Sequence, residues 1–133
     1  MTQNDKELIL KDLCARLLYG VKVRTPYNDA ILRGIVDRKG VKTTIDYTDI
    51  VTDKQTYPIR YIKPYLRPMS SITEEERKEY DSRRKHISDD YNCYCFDTIE
   101  SIDWLNAHHF DYRGLIEKGL AIAVAKDNNP YHG

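Results

Sequence analysis

Leu8, Ile9, Leu10, Leu13, Leu17 and Leu18 cluster toward one side at helical spacing, and Asn4 with Glu7 has the spacing of a capping arrangement. A helix over residues 5–19 is predicted, closed by Gly20, which meets no Cβ penalty in a left-handed cap. The period then changes. Val21 and Val23 alternate with Lys22 and Arg24, residues 31–36 are rich in β-branched side chains, and residues 41–47 continue the pattern beyond a Lys39-Gly40 turn. Three strands are expected here. Pro58 opens a further apolar segment, Ile59, Tyr61 and Ile62, which Pro64 confines to an edge or a strand end.

Pro64, Pro68 and Met69-Ser70-Ser71 form a stiff connector, and Thr73 with Glu76 has capping-box spacing ahead of a strongly charged helix over 74–86. Residues 88–96 should be a loop or short extended segment. The stretch 97–125 is the most informative in the chain, because spacing, caps and turn glycines agree there. Asp97 with Glu100 starts a helix carrying Ile99, Ile102, Trp104 and Leu105, with Trp104 as core; residues 113–118 form a second short helix stopped at Gly119, and 120–124 a terminal strand.

The expected fold is therefore α+β: an N-terminal helix, a small antiparallel, barrel-like sheet, then C-terminal helices and a terminal strand. One domain should cover residues 1–133, divided into the helix 1–19, a basic tyrosine-rich sheet region 20–67, a helical region with the terminal strand 68–125, and a frayed tail 126–133.

At 133 residues the chain suits one domain with a real core. It has no run of eighteen apolar residues, and its polar, acidic start is unlike a secretory leader. Cys14, Cys93 and Cys95 are odd in number and not spaced as a disulfide framework, so a reducing cytoplasm is the expected location. The formal charge is zero but unevenly spread. Residues 20–67 hold ten Lys and Arg against five Asp and Glu, and residues 68–118 hold seven against twelve. Either the two parts attract each other and pack together, or each solvates its own surface, or the first carries an anion-binding face.

Cys93, Cys95, His108 and His109 have the atom types of a zinc site, but C-x-C is an unusual spacing and adjacent histidines on one helix diverge. No metal and no cofactor is expected. The competing reading is two semi-buried thiols with one histidine capping a helix C-terminus. A small hydrolase built on Cys93, His109 and Asp111 is a third reading of the chain, and Cys14 suits packing better than chemistry. Phosphate-loop, nucleophile-elbow and H-E-x-x-H signatures are absent.

Eleven tyrosines beside two phenylalanines are the compositional oddity. Tyr27, Tyr47, Tyr57, Tyr61 and Tyr65 share a region with Lys22, Arg24, Arg33, Arg38, Lys63 and Arg67. Interleaved aromatics and cations suit stacking on bases and neutralising phosphates. They equally suit a small sheet that uses tyrosine as its amphipathic strand residue. The segment YIKPYLR, residues 61–67, is the best single contact surface.

The blocks LILKDLCARLLYGVKV (8–23), IKPYLRPMSSITEEE (62–76) and SIDWLNAHHFDYRGLIEKGLAI (101–122) resemble an uncharacterised family of small hypothetical proteins from gut Bacteroidales and their phages and mobile elements. The resemblance spans most of the chain and is weakest over 24–57. It implies an accessory protein, of a kind that often binds and blocks a host component, including nucleotide signals of antiviral defence. The leading expectation is a non-enzymatic module capturing an anionic small molecule, a nucleotide or nucleic acid, through Arg24, Arg33, Lys63, Tyr65 and Arg67. The alternative is an adaptor or inhibitor of a host protein, using the 74–86 helix, with Arg83, Arg84 and Lys85, and the 91–96 loop. No membrane partner is expected, and edge strands make a homo-oligomer an open state.

Overall fold

Thr2 caps the first helix: its hydroxyl accepts from the Asp5 amide, and the Asp5 carboxylate accepts from the Thr2 amide, both at 3.1 Å. The cap therefore sits two residues earlier than Asn4 and Glu7 suggested. The computed structural model describes residues 2–37 and 48–131, and in it α1 runs Gln3–Arg16. A 3-10 turn, Leu17–Tyr19, follows, and Gly20 closes it at φ 68°, as expected of a left-handed cap. The buried face of α1 is Ile9, Asp12, Leu13 and Arg16, whereas Leu18 is 91 % exposed.

The remaining strands and helices are β1 (Lys22–Arg24), β2 (Asp29–Asp37), β3 (Thr48–Thr52), β4 (Thr56–Pro58), β5 (Lys63–Leu66), α2 (Glu74–Arg83), β6 (Lys85–Ser88), β7 (Cys93–Phe96), α3 (Ile99–Ala107) and β8 (Ile122–Ala123). This is the α+β order expected. The main sheet runs β4-β3-β2-β1-β5-β8, antiparallel except for the parallel β5–β8 pair. It is mixed and open, not barrel-like: β8 offers two paired residues, too few to carry a closing ladder. The Lys39-Gly40 turn and the strand expected at 41–47 lie outside the described residues.

The β3–β4 hairpin was not foreseen. Its inward side is Thr48, Ile50 and Thr52, so two of three buried positions read as polar in a hydrophobic pattern. Thr52 holds the turn, its hydroxyl donating to the Gln55 carbonyl and accepting from the Lys54 and Gln55 amides. The segment after Pro58 is a 3-10 turn, Ile59–Tyr61, not a strand; Ile59 and Ile62 are both buried, a spacing of three that matches that helix. Pro64 lies in β5, just short of where β8 begins to pair at Tyr65.

The capping box of Thr73 and Glu76 stands as expected. Its helix stops at Arg83, and β6 and β7 form a separate hairpin, turned by the Asp89 carboxylate accepting from the Tyr91 and Asn92 amides. The cap of α3 is Thr98 with Ser101. Asp97 instead accepts hydroxyl hydrogens from Tyr80 and Ser101. Residues 113–118 make one turn and no helix, because Gly114 enters at φ 77° and the Asp111 carboxylate takes the Leu115 and Ile116 amides at 2.9 Å. Nor is the tail frayed as far as Tyr131. That hydroxyl accepts from the Lys22 amide at 2.9 Å and donates to the Tyr65 carbonyl at 2.8 Å, bridging β1 and β5 at the rung beyond Val23 and Pro64.

Two cores result. Ile9 and Leu13 of α1 pack on Val21, Val23, Leu32, Ile50, Ile62 and Leu66. Tyr80, Trp104, Leu105 and Phe110 form the second, with Trp104 stacked against Tyr80 and Phe110, so the single tryptophan is core as expected. Among the described residues no helix is long and apolar enough to cross a membrane.

Candidate functional site

Arg24 and Lys63 stand opposite each other in the antiparallel β1–β5 pair. Like charges directly opposite destabilise a sheet, so the register is held by the surrounding core and not by this pair. The 3-10 turn before β5 adds Arg60, and the three cations with Thr25, Tyr61 and Ile122 line a cleft of about 260 Å³ that has no carboxylate in its wall. Arg60 and Lys63 form no ion pair with any described residue. The Arg60 guanidinium lies 4.7 Å from the centre of the Tyr61 ring, which is half exposed at 50 %.

Arg24 is partly engaged. Its Nε donates to the Tyr65 hydroxyl at 2.9 Å, and that hydroxyl donates to Asp29 at 2.7 Å. Tyr65 is buried, and burial, then its bond to Asp29, raises its pKa above the usual phenol value. It anchors Arg24 from below and presents no face to a ligand.

Arg67 is placed elsewhere. Its guanidinium binds Glu76 through two hydrogen bonds, 2.6 and 2.7 Å, and lies 4.1 Å from the centre of the Phe110 ring. The Arg67 hydrogen bonds hold the Glu76 carboxyl at about 2, against burial, which opposes them. Arg33 is exposed on β2, at the register shift between Leu32 and Gly34, and is not in the cleft wall. Of the five residues expected to form one surface, Arg24 and Lys63 meet in the cleft, Tyr65 supports them, and Arg33 and Arg67 lie outside it. Arg60 was missed; its place three residues before Lys63 and next to Tyr61 was the available signal.

A second cleft of about 460 Å³ is lined by Arg67, Glu76, His108, His109, Asn129 and Tyr131. His109 adopts φ 64°, a left-handed conformation unusual for a side chain with a Cβ, and its ring stacks on Tyr131 at 4.0 Å and 9°. Its Nδ1 is buried without a hydrogen-bond partner among the described residues. Burial first, then electrostatic interaction with Arg16, His108 and Arg67, lowers its pKa to about 4, so the ring is neutral at pH 7. Burial also raises the Tyr131 phenol above its usual range. The stacked pair fills one wall of this cleft with groups that hold no charge.

The other chemical candidates do not assemble. Cys93 and Cys95 lie on β7 and His108 and His109 at the end of α3, and no group of three or more potential metal ligands exists among the described residues. Asp111 spends both carboxylate oxygens on backbone amides, Cys93 contacts Ser88, and His109 faces Tyr131, so Cys93, His109 and Asp111 share no hydrogen bond. Arg84 is also committed, lying over the Tyr80 ring and contacting Asp81 and Asp97. No family model, curated protein or solved structure matches the chain.

Proposed function

We propose that the protein is a non-enzymatic binding module that captures a phosphate-bearing ligand in the cleft of Arg24, Arg60 and Lys63. The observation that carries this reading is the convergence of three cations, none of them ion-paired with a described residue, on a cleft whose lining has no carboxylate. A phosphate accepts from guanidinium and ammonium donors together, and releases the repulsion between Arg24 and Lys63 as it binds. The cleft is smaller than a drug-sized pocket, at about 260 Å³, so the phosphate enters and an attached base lies outside, against the exposed Tyr61 ring. A nucleotide is thus the favoured form and single-stranded nucleic acid the broader one. Capture of a nucleotide immune signal is the narrowest form, and its support is the family resemblance alone.

Calorimetry and thermal shift with mono-, cyclic and cyclic dinucleotides and a short oligonucleotide, at two salt concentrations, test the reading. A nucleotide should raise the melting temperature, since a ligand of the folded state stabilises it by mass action. Arg60→Ala with Lys63→Ala should lose that rise entirely. No stabilisation by any of these ligands, or an unchanged rise in the double variant, overturns it. A steep loss of oligonucleotide binding with salt, beyond that of the nucleotide, favours the nucleic-acid form.

One observation favours the adaptor reading as a second. On the β6–β7 hairpin Ile87, Tyr94 and Phe96 share one face, each between 43 and 50 % exposed, and Tyr91 at the tip is 93 % exposed. A partner captured from host lysate after nuclease treatment, and lost on Tyr94→Ser with Phe96→Ser, would place the contact there.

A further inference from the structure

The opposite face of the same hairpin carries different chemistry. Cross-strand register pairs His86 with Cys95 and Ser88 with Cys93, so these four side chains share one face. The His86 ring is held at both nitrogens: Nε2 lies 2.8 Å from the Asp81 carbonyl and Nδ1 lies 3.1 Å from Cys95 Sγ. A carbonyl only accepts, so Nε2 carries a hydrogen. The neutral ring then presents Nδ1 as an acceptor, aimed at the thiol. This is a nucleophile, a base in hydrogen-bond reach, and a third group that orients the base. Around it, Arg84 donates to the Cys95 carbonyl at 3.4 Å and also faces the carboxylates of Asp81 and Asp97, at 3.6 and 3.5 Å.

The other two cysteines lack this arrangement. Cys93 Sγ accepts from the Ser88 hydroxyl at 3.7 Å, and a hydroxyl is no base near neutral pH. Cys14 on α1 has a thiol whose pKa burial pushes up. All three are exposed, so accessibility does not separate them; the partner does.

We propose that Cys95 is the reactive thiol of this protein, activated by His86 for exchange with low-molecular-weight disulfides. His86 Nδ1 takes the thiol proton, and the Cys95 thiolate attacks one sulfur of the disulfide. A new S–S bond forms to Cys95 and the old one breaks. Its electron pair leaves on the second sulfur, which takes the proton back from the imidazolium, so Cys95 is oxidised and one small thiol is released. The product stays a mixed disulfide. Residues two apart on an extended strand lie about 6.6 Å apart at Cα, near the upper limit for a disulfide, so Cys93 is poorly placed to displace the small thiol.

Site-resolved mass spectrometry of the full chain tests this, with iodoacetamide measuring thiolate reactivity and oxidised glutathione measuring exchange. Cys95 should alkylate roughly tenfold faster than Cys93 and Cys14 at neutral pH. Glutathione should appear on Cys95 alone. His86→Asn should bring Cys95 down to the rate of Cys93, while an unchanged Cys14 rate reports that α1 and the sheet stand. Equal rates at all three cysteines, an unchanged Cys95 in His86→Asn, or a Cys93–Cys95 disulfide in place of the adduct would overturn the proposal.

Discussion

The two ends of β5 carry similar charge in the sequence and opposite fates in the fold. Beyond its C-terminal end, Arg67 is bound by Glu76 and rests on Phe110, and the neighbouring Arg16 is wholly buried, bonded through Nε to Asp12 at 2.8 Å and through Nη2 to the Phe110 carbonyl. At its N-terminal end, Lys63 faces Arg24 and Arg60 with no carboxylate in the cleft wall, and Asp29, opposite Arg24 on β2, accepts from the Tyr65 hydroxyl. The difference teaches that a cation is available to a ligand only where the fold has withheld its partner. Density of Lys and Arg along a chain does not distinguish the two cases.

The comparison is broken most severely by removing a partner at the compensated end. Asp12 is completely buried and accepts from both Arg16 and Arg113. Asp12→Ala should cost about 3–5 kcal/mol, because it leaves the Arg16 charge buried and unpaired. Asp12→Leu with Arg16→Met should recover most of that loss in urea denaturation. If the single change costs under about 1 kcal/mol, the pair is not part of the core.

His109 gives the next largest effect, read as pH dependence. Its pKa is about 4 in the fold and 6.5 as a free side chain. The unfolded chain therefore binds the proton first, and stability present above pH 6.5 is lost as pH falls from 6.5 toward 4. About 2 kcal/mol is expected over that window after allowance for the partly accessible ring. His109→Asn, which tolerates the left-handed φ, should flatten the slope. Parallel stability–pH curves for the two proteins would remove His109 from the account.

Where sequence spacing matched one local rule the fold was legible. Gly20, the Thr73–Glu76 box, the β1 alternation and Trp104 all behave as their spacing implied. Where two rules competed, the pattern misled. Thr48 and Thr52 are buried strand residues that look polar, and Ile59 with Ile62 fits a 3-10 turn better than a strand. The cleft was half legible for a related reason. Lys63 and Arg24 are separated by most of the sheet region and meet only through the β1–β5 register, and Arg67 was indistinguishable from them until Glu76 was seen to bind it. Tyr131, at the far end of the chain, completes a rung between β1 and β5 that no local spacing announces.

A smaller effect at the compensated end concerns the Arg67–Glu76 pair. The folded Glu76 carboxyl sits at about 2, below the ordinary 4.5, so its stabilising contribution is complete above pH 4.5 and disappears as pH falls toward 2. The pair is bidentate but partly open to water, with side chains 23 % and 21 % exposed. About 1 kcal/mol is therefore expected at pH 7 from Glu76→Gln in thermal denaturation, and little difference from the parent near pH 2.5. A deficit that persists unchanged at low pH would trace to packing of α2, not to the ion pair.

The smallest effect on stability belongs to the uncompensated end, and it sharpens the comparison most. Arg60→Ala and Lys63→Ala remove cations that bind no described carboxylate, and Lys63→Ala also removes the repulsion across the β1–β5 pair. Each should change stability by no more than about 0.5 kcal/mol, Lys63→Ala in the stabilising direction. Arg24→Ala differs, because it takes a donor from the buried Tyr65 hydroxyl and leaves Asp29 as that group's remaining partner. It should cost about 1 kcal/mol. Calorimetric unfolding of the three variants at low and high salt separates these outcomes. If Lys63→Ala destabilises the sheet as Arg24→Ala does, Lys63 is held by a partner and the cleft offers its charge to the fold. If it is neutral or stabilising, that charge is free for a ligand to neutralise.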